Sequence, residues 1–144
     1  MENISPEVIN PRREEVVMID DEPDIVSPVR EMFDEEGWGG RLFDNPEVAL
    51  EYILQKRKNI LLVVTDLNMP GMSGVEVARK VKTEDKDIEV ILTSANTGRI
   101  TPQQREELTV LGVEIMEKPY KPVKMLEIAD ELKKRNDSLG VKTA

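Results

Sequence analysis

The chain has 144 residues and a net charge of −9, enough for one domain with its own core and too acidic for the basic footprint that nucleic-acid binding needs. It contains no cysteine and no histidine, which excludes disulfides, thiol nucleophiles, zinc clusters and histidine-based triads. Its chemistry must rest on carboxylates, lysine, hydroxyls and backbone, with a hard, oxygen-loving cation as the one suitable metal.

Residues 1–13 carry Pro6 and Pro11 without periodicity and read as a flexible lead-in. They show no signal-peptide pattern. From Glu15 a repeating order sets in, a short β-branched run followed by a turn and an amphipathic pattern. Strands are predicted at Val16–Ile19, Gly40–Phe43, Ile60–Thr65, Val90–Thr93 and Val113–Met116. Helices are predicted near Asp24–Glu36, Pro46–Lys56, Gly74–Lys82, Pro102–Leu111 and Val123–Arg135. Asn45 before Pro46, and Thr101 before Pro102 with Gln104 completing a capping box, mark helix starts. Gly37 and Gly112 mark helix stops. Strict alternation of strand and helix predicts an α/β domain on a parallel sheet over residues 14–135. Residues 136–144 read as a small polar tail, which leaves no room for an output domain. Ile60–Val64 is apolar throughout, as a central strand buried on both faces should be, and far short of the about 20 residues that span a bilayer. Gly40–Phe43 reads as an edge strand.

Charged groups stand just after three of these strands. Asp20 and Asp21 follow the first, Asp66 ends the third, and Lys118 follows the fifth. In an open parallel sheet, ligands bind beyond the carboxyl ends of the strands, so these groups are expected to converge. Adjacent acids suit Mg²⁺, which uses few carboxylates and keeps several waters. A strand-end aspartate can act as a nucleophile toward phosphorus, and a lysine can offset phosphoryl charge. Each has a plainer reading: an acidic turn before a helix, a turn aspartate, a surface lysine. Pro70, Gly71 and Gly74 shape a tight loop beside Asp66. The fourth strand ends in Thr93 and Ser94, which alternation places on opposite faces, so only one can point at the site. Neither a dinucleotide fingerprint nor a P-loop is present.

The segments Val17-Met18-Ile19-Asp20-Asp21-Glu22-Pro23, Val64-Thr65-Asp66-Leu67-Asn68-Met69-Pro70-Gly71-Met72-Ser73-Gly74, Ile91-Leu92-Thr93-Ser94-Ala95 and Glu117-Lys118-Pro119-Tyr120 together resemble the receiver domain (CheY-like) of two-component response regulators. The resemblance covers residues 14–135. It implies a flavodoxin-like, doubly wound (βα)5 fold with strand order 2-1-3-4-5. It implies that Asp66 accepts a phosphoryl group from a sensor histidine kinase or a histidine phosphotransfer protein. Asp20, Asp21, Asp66 and the backbone carbonyl of Asn68 would bind Mg²⁺, and Lys118 would contact the phosphoryl group. Ser94, next to Ala95, aligns with the switch hydroxyl, with Thr93 the runner-up. Asn68 and Asn96 stand at positions that tune dephosphorylation in the family. Ile115 departs from the pattern, since the family usually has an aromatic residue three positions before the lysine. The stretch from Ser94 to Lys118 is also slightly long.

The expected function is a phosphoacceptor that is not an enzyme beyond self-catalysed phosphotransfer and autodephosphorylation. An effector protein would read the surface of the fourth and fifth helices and the fifth strand. The protein is expected to be cytoplasmic, without direct contact to nucleic acid or membrane, and a monomer or a phosphorylation-dependent dimer. A dehalogenase-like phosphatase would need an aspartate where Asn68 stands. The remaining alternative is a receiver-like scaffold that binds partners constitutively and is never phosphorylated.

Overall fold

The computed structural model describes residues 13–119 and 121–143, without the side chains of 23, 25 and 136–143. The first 12 residues of the expected lead-in, and Tyr120 of the last quoted motif, lie outside the described residues. Strands β1 (Glu15–Ile19), β2 (Gly39–Phe43), β3 (Ile60–Asp66), β4 (Glu89–Ser94) and β5 (Glu114–Glu117) pair in parallel in the order 2-1-3-4-5. They alternate with α1 (Pro23–Glu35), α2 (Pro46–Lys56), α3 (Gly74–Glu84), α4 (Pro102–Leu111) and α5 (Pro122–Thr143). This is the doubly wound (βα)5 fold.

Side-chain alternation divides the core into two layers. Val17, Ile19, Val63, Val90 and Leu92 face α2, α3 and α4, where Ile53, Val77, Val81 and Leu108 meet them. Val16, Met18, Leu62, Val64 and Ile91 face α1 and α5, against Val26, Phe33, Met125 and Ala129. Every residue of β3 is buried, because helices cover both its faces. At such positions a Leu→Ala truncation costs about 2–5 kcal/mol. Among the described residues no helix is long and apolar enough to cross a membrane.

Capping chemistry sets the helix ends. Asn45 accepts from the N–H groups of Glu47 and Val48, and Thr101 with Gln104 closes the expected capping box. A second box, Ser73 with Glu76, starts α3. Gly37 and Gly112 follow α1 and α4 with φ of 90° and 77°, where residues with a Cβ are disfavoured. The Val113 N–H donates to Leu108 O at 2.8 Å, closing α4. Its backbone is thereby committed to the helix end, and β5 begins one residue later than the apolar pattern indicates.

Two expectations are corrected. Arg13, placed in the flexible lead-in, is 6% exposed. Its guanidinium donates to Asp85 at 3.1 Å, Arg57 O at 2.8 Å and Ile60 O at 3.1 Å, so this residue is anchored by a buried ion pair. The fifth helix, expected to stop at Arg135 before a polar tail, runs to Thr143. Once a helix is nucleated, each added residue needs only propagation, and a weakly helical sequence can continue it. Between Ser94 and Lys118 the chain makes a 3₁₀ turn, Thr97–Arg99, capped by Asn96 Oδ1, which accepts from the Gly98 N–H at 3.0 Å.

Candidate functional site

The carboxyl ends of β1, β3 and β5 bring the expected charges together. Asp20 is fully buried and Asp66 is 7% exposed, whereas Asp21 faces solvent. One carboxylate oxygen from each of the three lies within 4.8 Å of the others. Lys118 Nζ donates to Asp20 Oδ2 at 2.9 Å and lies 3.4 Å from Asp66 Oδ2. The other Asp20 oxygen, Oδ1, accepts from the Glu22 N–H at 2.9 Å, which fixes the carboxylate at the start of α1. The β5 end is tied to β4 by the Lys118 N–H donating to Ser94 O at 2.8 Å.

Burial pushes the Asp66 carboxyl above its ordinary range; Lys118 opposes this, and the Asp20 and Asp21 charges add to it. Burial alone would lower the Lys118 ammonium, but its hydrogen bond to Asp20 and the charges of Asp66 and Asp20 outweigh that and raise it. The site therefore pairs an unusually basic carboxylate with a firmly charged lysine.

Three convergent acids form the all-oxygen, anionic donor set that a hard divalent cation takes. Asp20, Asp21 and Asp66 fit Mg²⁺ on that ground. Asn68 is exposed in the loop two residues beyond Asp66.

The two hydroxyls at the end of β4 part as alternation requires. Ser94, 1% exposed, shares the face of Leu92, toward α3 and α4, and its Oγ accepts from the Asn96 N–H at 3.1 Å. Thr93, also 1% exposed, shares the face of Ile91, and its hydroxyl donates to Thr65 O at 3.4 Å. Asn96 is exposed, with its side chain committed to the 3₁₀ turn. Ile115 is partly buried against the α2–α4 layer.

Sequence reasoning overlooked Thr65, a fully buried hydroxyl that donates to Asp66 O at 3.1 Å. A polar residue inside an otherwise apolar central strand was its signal. Gly74 was read as a loop former. Its φ is ordinary, and its role is close approach, since a Cβ there would stand 2.2 Å from Asp66 O.

The model of the family described as response regulator receiver domain matches residues 16–130. The chain belongs to that family. Sporulation initiation phosphotransferase F of Bacillus subtilis is 30% identical over 121 residues, covering 84% of this chain and 92% of that protein. The DNA-binding response regulator MtrA of Mycolicibacterium smegmatis is 24% identical over 130 residues, covering 87% of this chain but 53% of the relative. The chain thus spans nearly all of the first and about half of the second. The fold matches the crystal structure of a CheY-like receiver domain protein from Methanospirillum hungatei with a TM-score of 0.75 at 17% identity, over 88% of this chain and 98% of that one. As a receiver domain of two-component systems, the protein is regulatory rather than a classical enzyme. Receiver domains bind Mg²⁺ in an acidic pocket and work with histidine kinases or phosphotransfer proteins and effectors.

Proposed function

We propose that Asp66 accepts a phosphoryl group from a phosphohistidine on a sensor histidine kinase or phosphotransfer protein, and that the phosphorylated chain signals to a partner protein. The observation that supports this most is Lys118 Nζ held between Asp20 and Asp66, at 2.9 and 3.4 Å. A permanently charged donor beside a buried carboxylate marks the place where a dianionic group can be accepted. An Asp66 carboxylate oxygen attacks phosphorus in line, the P–N bond breaks, and the departing imidazole keeps the electron pair and takes a proton. Lys118 turns from the acids toward the incoming oxygens. Asp20, Asp21, Asp66 and the Asn68 carbonyl would hold Mg²⁺, which supplies charge neutralisation on the phosphoryl oxygens.

The new phosphate adds about −1.5 to −2 charge if it titrates as other phosphorylated side chains do. Ser94 gives up the Asn96 N–H and donates to a phosphoryl oxygen, which reorganises the turn leading to α4. The effector reads α4, β5 and α5. On those helices Val110 and Val123 stand 81% and 67% exposed. Asn68 and Asn96 set the lifetime of the acyl phosphate, and the chain acts as a monomer or as a phosphorylation-dependent dimer in the cytoplasm.

Intact mass after incubation with acetyl phosphate and Mg²⁺ tests this. A single phosphoryl adduct is expected, absent with chelator and absent from Asp66→Asn. A folded protein that takes no phosphoryl group from either acetyl phosphate or a cognate kinase leaves the constitutive scaffold, the reading that Ile115 favours.

A further inference from the structure

The peptide unit that follows Asp66 is held on three sides. Its N–H, that of Leu67, donates to Thr93 O at 2.8 Å. Its carbonyl, Asp66 O, accepts from Thr65 Oγ1 at 3.1 Å. The space beside that carbonyl is closed by Gly74, where an added Cβ would stand 2.2 Å from Asp66 O and 3.0 Å from the carbonyl carbon. The Gly74 N–H in turn donates to Leu67 O at 2.9 Å. The preceding peptide is tied as well, because Thr93 Oγ1 donates to Thr65 O at 3.4 Å.

This hydroxyl is not needed to fill the core. Ile60 to Val64 show what the interior of β3 accepts, and valine has nearly the shape of threonine without the oxygen. A fully buried hydroxyl must find a partner to offset its desolvation, and here the partner belongs to the residue whose carboxylate meets Lys118. A residue at the end of a strand has lost the ladder on one side, so its backbone direction is set by whatever takes up its last polar groups. The direction of the carboxylate follows from that of the backbone.

We propose that Thr65 is a positioning residue for the phosphoacceptor. Its hydroxyl bonds the Asp66 carbonyl while Gly74 confines the same carbonyl by contact, and together they set where the Asp66 carboxylate stands relative to Lys118 and Asp20. This rests on Asp66 being the phosphoacceptor. In-line attack needs the reacting atoms near 3–3.5 Å, and a displacement of about 1 Å can cost about 10²-fold, so a small rotation of this peptide reaches the rate directly.

The test compares adduct formation from acetyl phosphate, over full ranges of donor and Mg²⁺, in wild type, Thr65→Val, Thr65→Ser and Gly74→Ala, each checked for folding by circular dichroism. Thr65→Val should lower the maximal rate about fivefold or more while the donor and Mg²⁺ concentrations at half-maximum stay unchanged. Thr65→Ser should restore the rate to within about twofold even if it melts lower. Gly74→Ala, which presses on the same carbonyl, should be slower still. Thr65→Val or Gly74→Ala at the wild-type rate, or Thr65→Ser as slow as Thr65→Val, overturns the assignment. A wild-type protein that takes no phosphoryl group defeats the underlying reading of Asp66 instead, and the two failures are thereby distinct.

Discussion

Replacing Lys118 with methionine keeps a side chain of similar length and removes the cation that holds two buried acids. Asp20 is fully buried, and Lys118 is 15% exposed with Nζ at 2.9 Å from Asp20 and 3.4 Å from Asp66. Breaking a buried ion pair from one side costs about 3–5 kcal/mol. The partial exposure of Lys118 and the Glu22 N–H that Asp20 keeps lower that to about 3 kcal/mol. Carboxylate oxygens within 4.8 Å of one another lead to the same order, since at an effective dielectric near 20 two charges at that limit repel by about 3.5 kcal/mol. With an m-value of about 2 kcal/mol per molar, the urea midpoint should fall by about 1.5 M. The assay is urea unfolding at pH 8 in chelator and again in Mg²⁺. A divalent cation takes over the neutralising role, so Mg²⁺ should stabilise Lys118→Met more than wild type and narrow the gap. An unchanged midpoint in chelator, or a gap of the same size with Mg²⁺, would refute the reasoning.

Arg13→Met should destabilise by about 2 kcal/mol, because it takes the nearer cation from the 8%-exposed carboxylate of Asp85, which then keeps Arg57 at 3.9 Å and the Asp87 N–H at 3.0 Å. Adding Asp85→Asn should recover part of the loss, and a double-mutant cycle in urea that shows no coupling would contradict the ion pair. Burial raises the Asp66 carboxyl in the native state against the opposing Lys118, so the fold binds that proton more tightly than the unfolded chain does. Its contribution to stability is therefore largest below the unfolded value and is lost as pH rises through the native one. In metal-free protein Asp66→Asn should gain stability relative to wild type as pH climbs from acid to neutral, and a pH-independent difference in melting temperature would count against this. Thr101→Ala removes the α4 capping box and should cost about 1 kcal/mol. Gly112→Ala, at a φ of 77°, should also cost about 1 kcal/mol; either variant melting as wild type does would contradict the assigned cap.

What was legible in the sequence was local or followed from a topological rule. The apolar run from Ile60 marks the buried central strand, and caps at Asn45 and Thr101 mark helix starts, because their causes lie within a few residues. Asp20, Asp66 and Lys118 could be brought together from far apart because parallel strands put all their carboxyl ends on one edge. The choice between Thr93 and Ser94 was half legible: alternation separates their faces, but only the packing of Leu92 and Ile91 says which face is which. Arg13 and Asp85 carry no local signal, since 72 residues separate them and each looks like an ordinary surface charge. The contact of Gly74 with the Asp66 carbonyl depends on how α3 docks beneath β3, which no spacing encodes. The extension of α5 to Thr143 reflects propagation from a packed helix rather than the propensity of its own residues.

The buried carboxylate beside Lys118 is the one proposed to take the phosphoryl group. Borohydride reduction of the phosphorylated protein followed by peptide mapping tests it most directly, because hydride converts an acyl phosphate, and not a free carboxylate, to an alcohol. A Mg²⁺-dependent homoserine is expected at position 66 and at no other aspartate. Reduction at Asp20 or Asp21, or phosphate on a hydroxyl such as Ser94 that resists reduction, would contradict it.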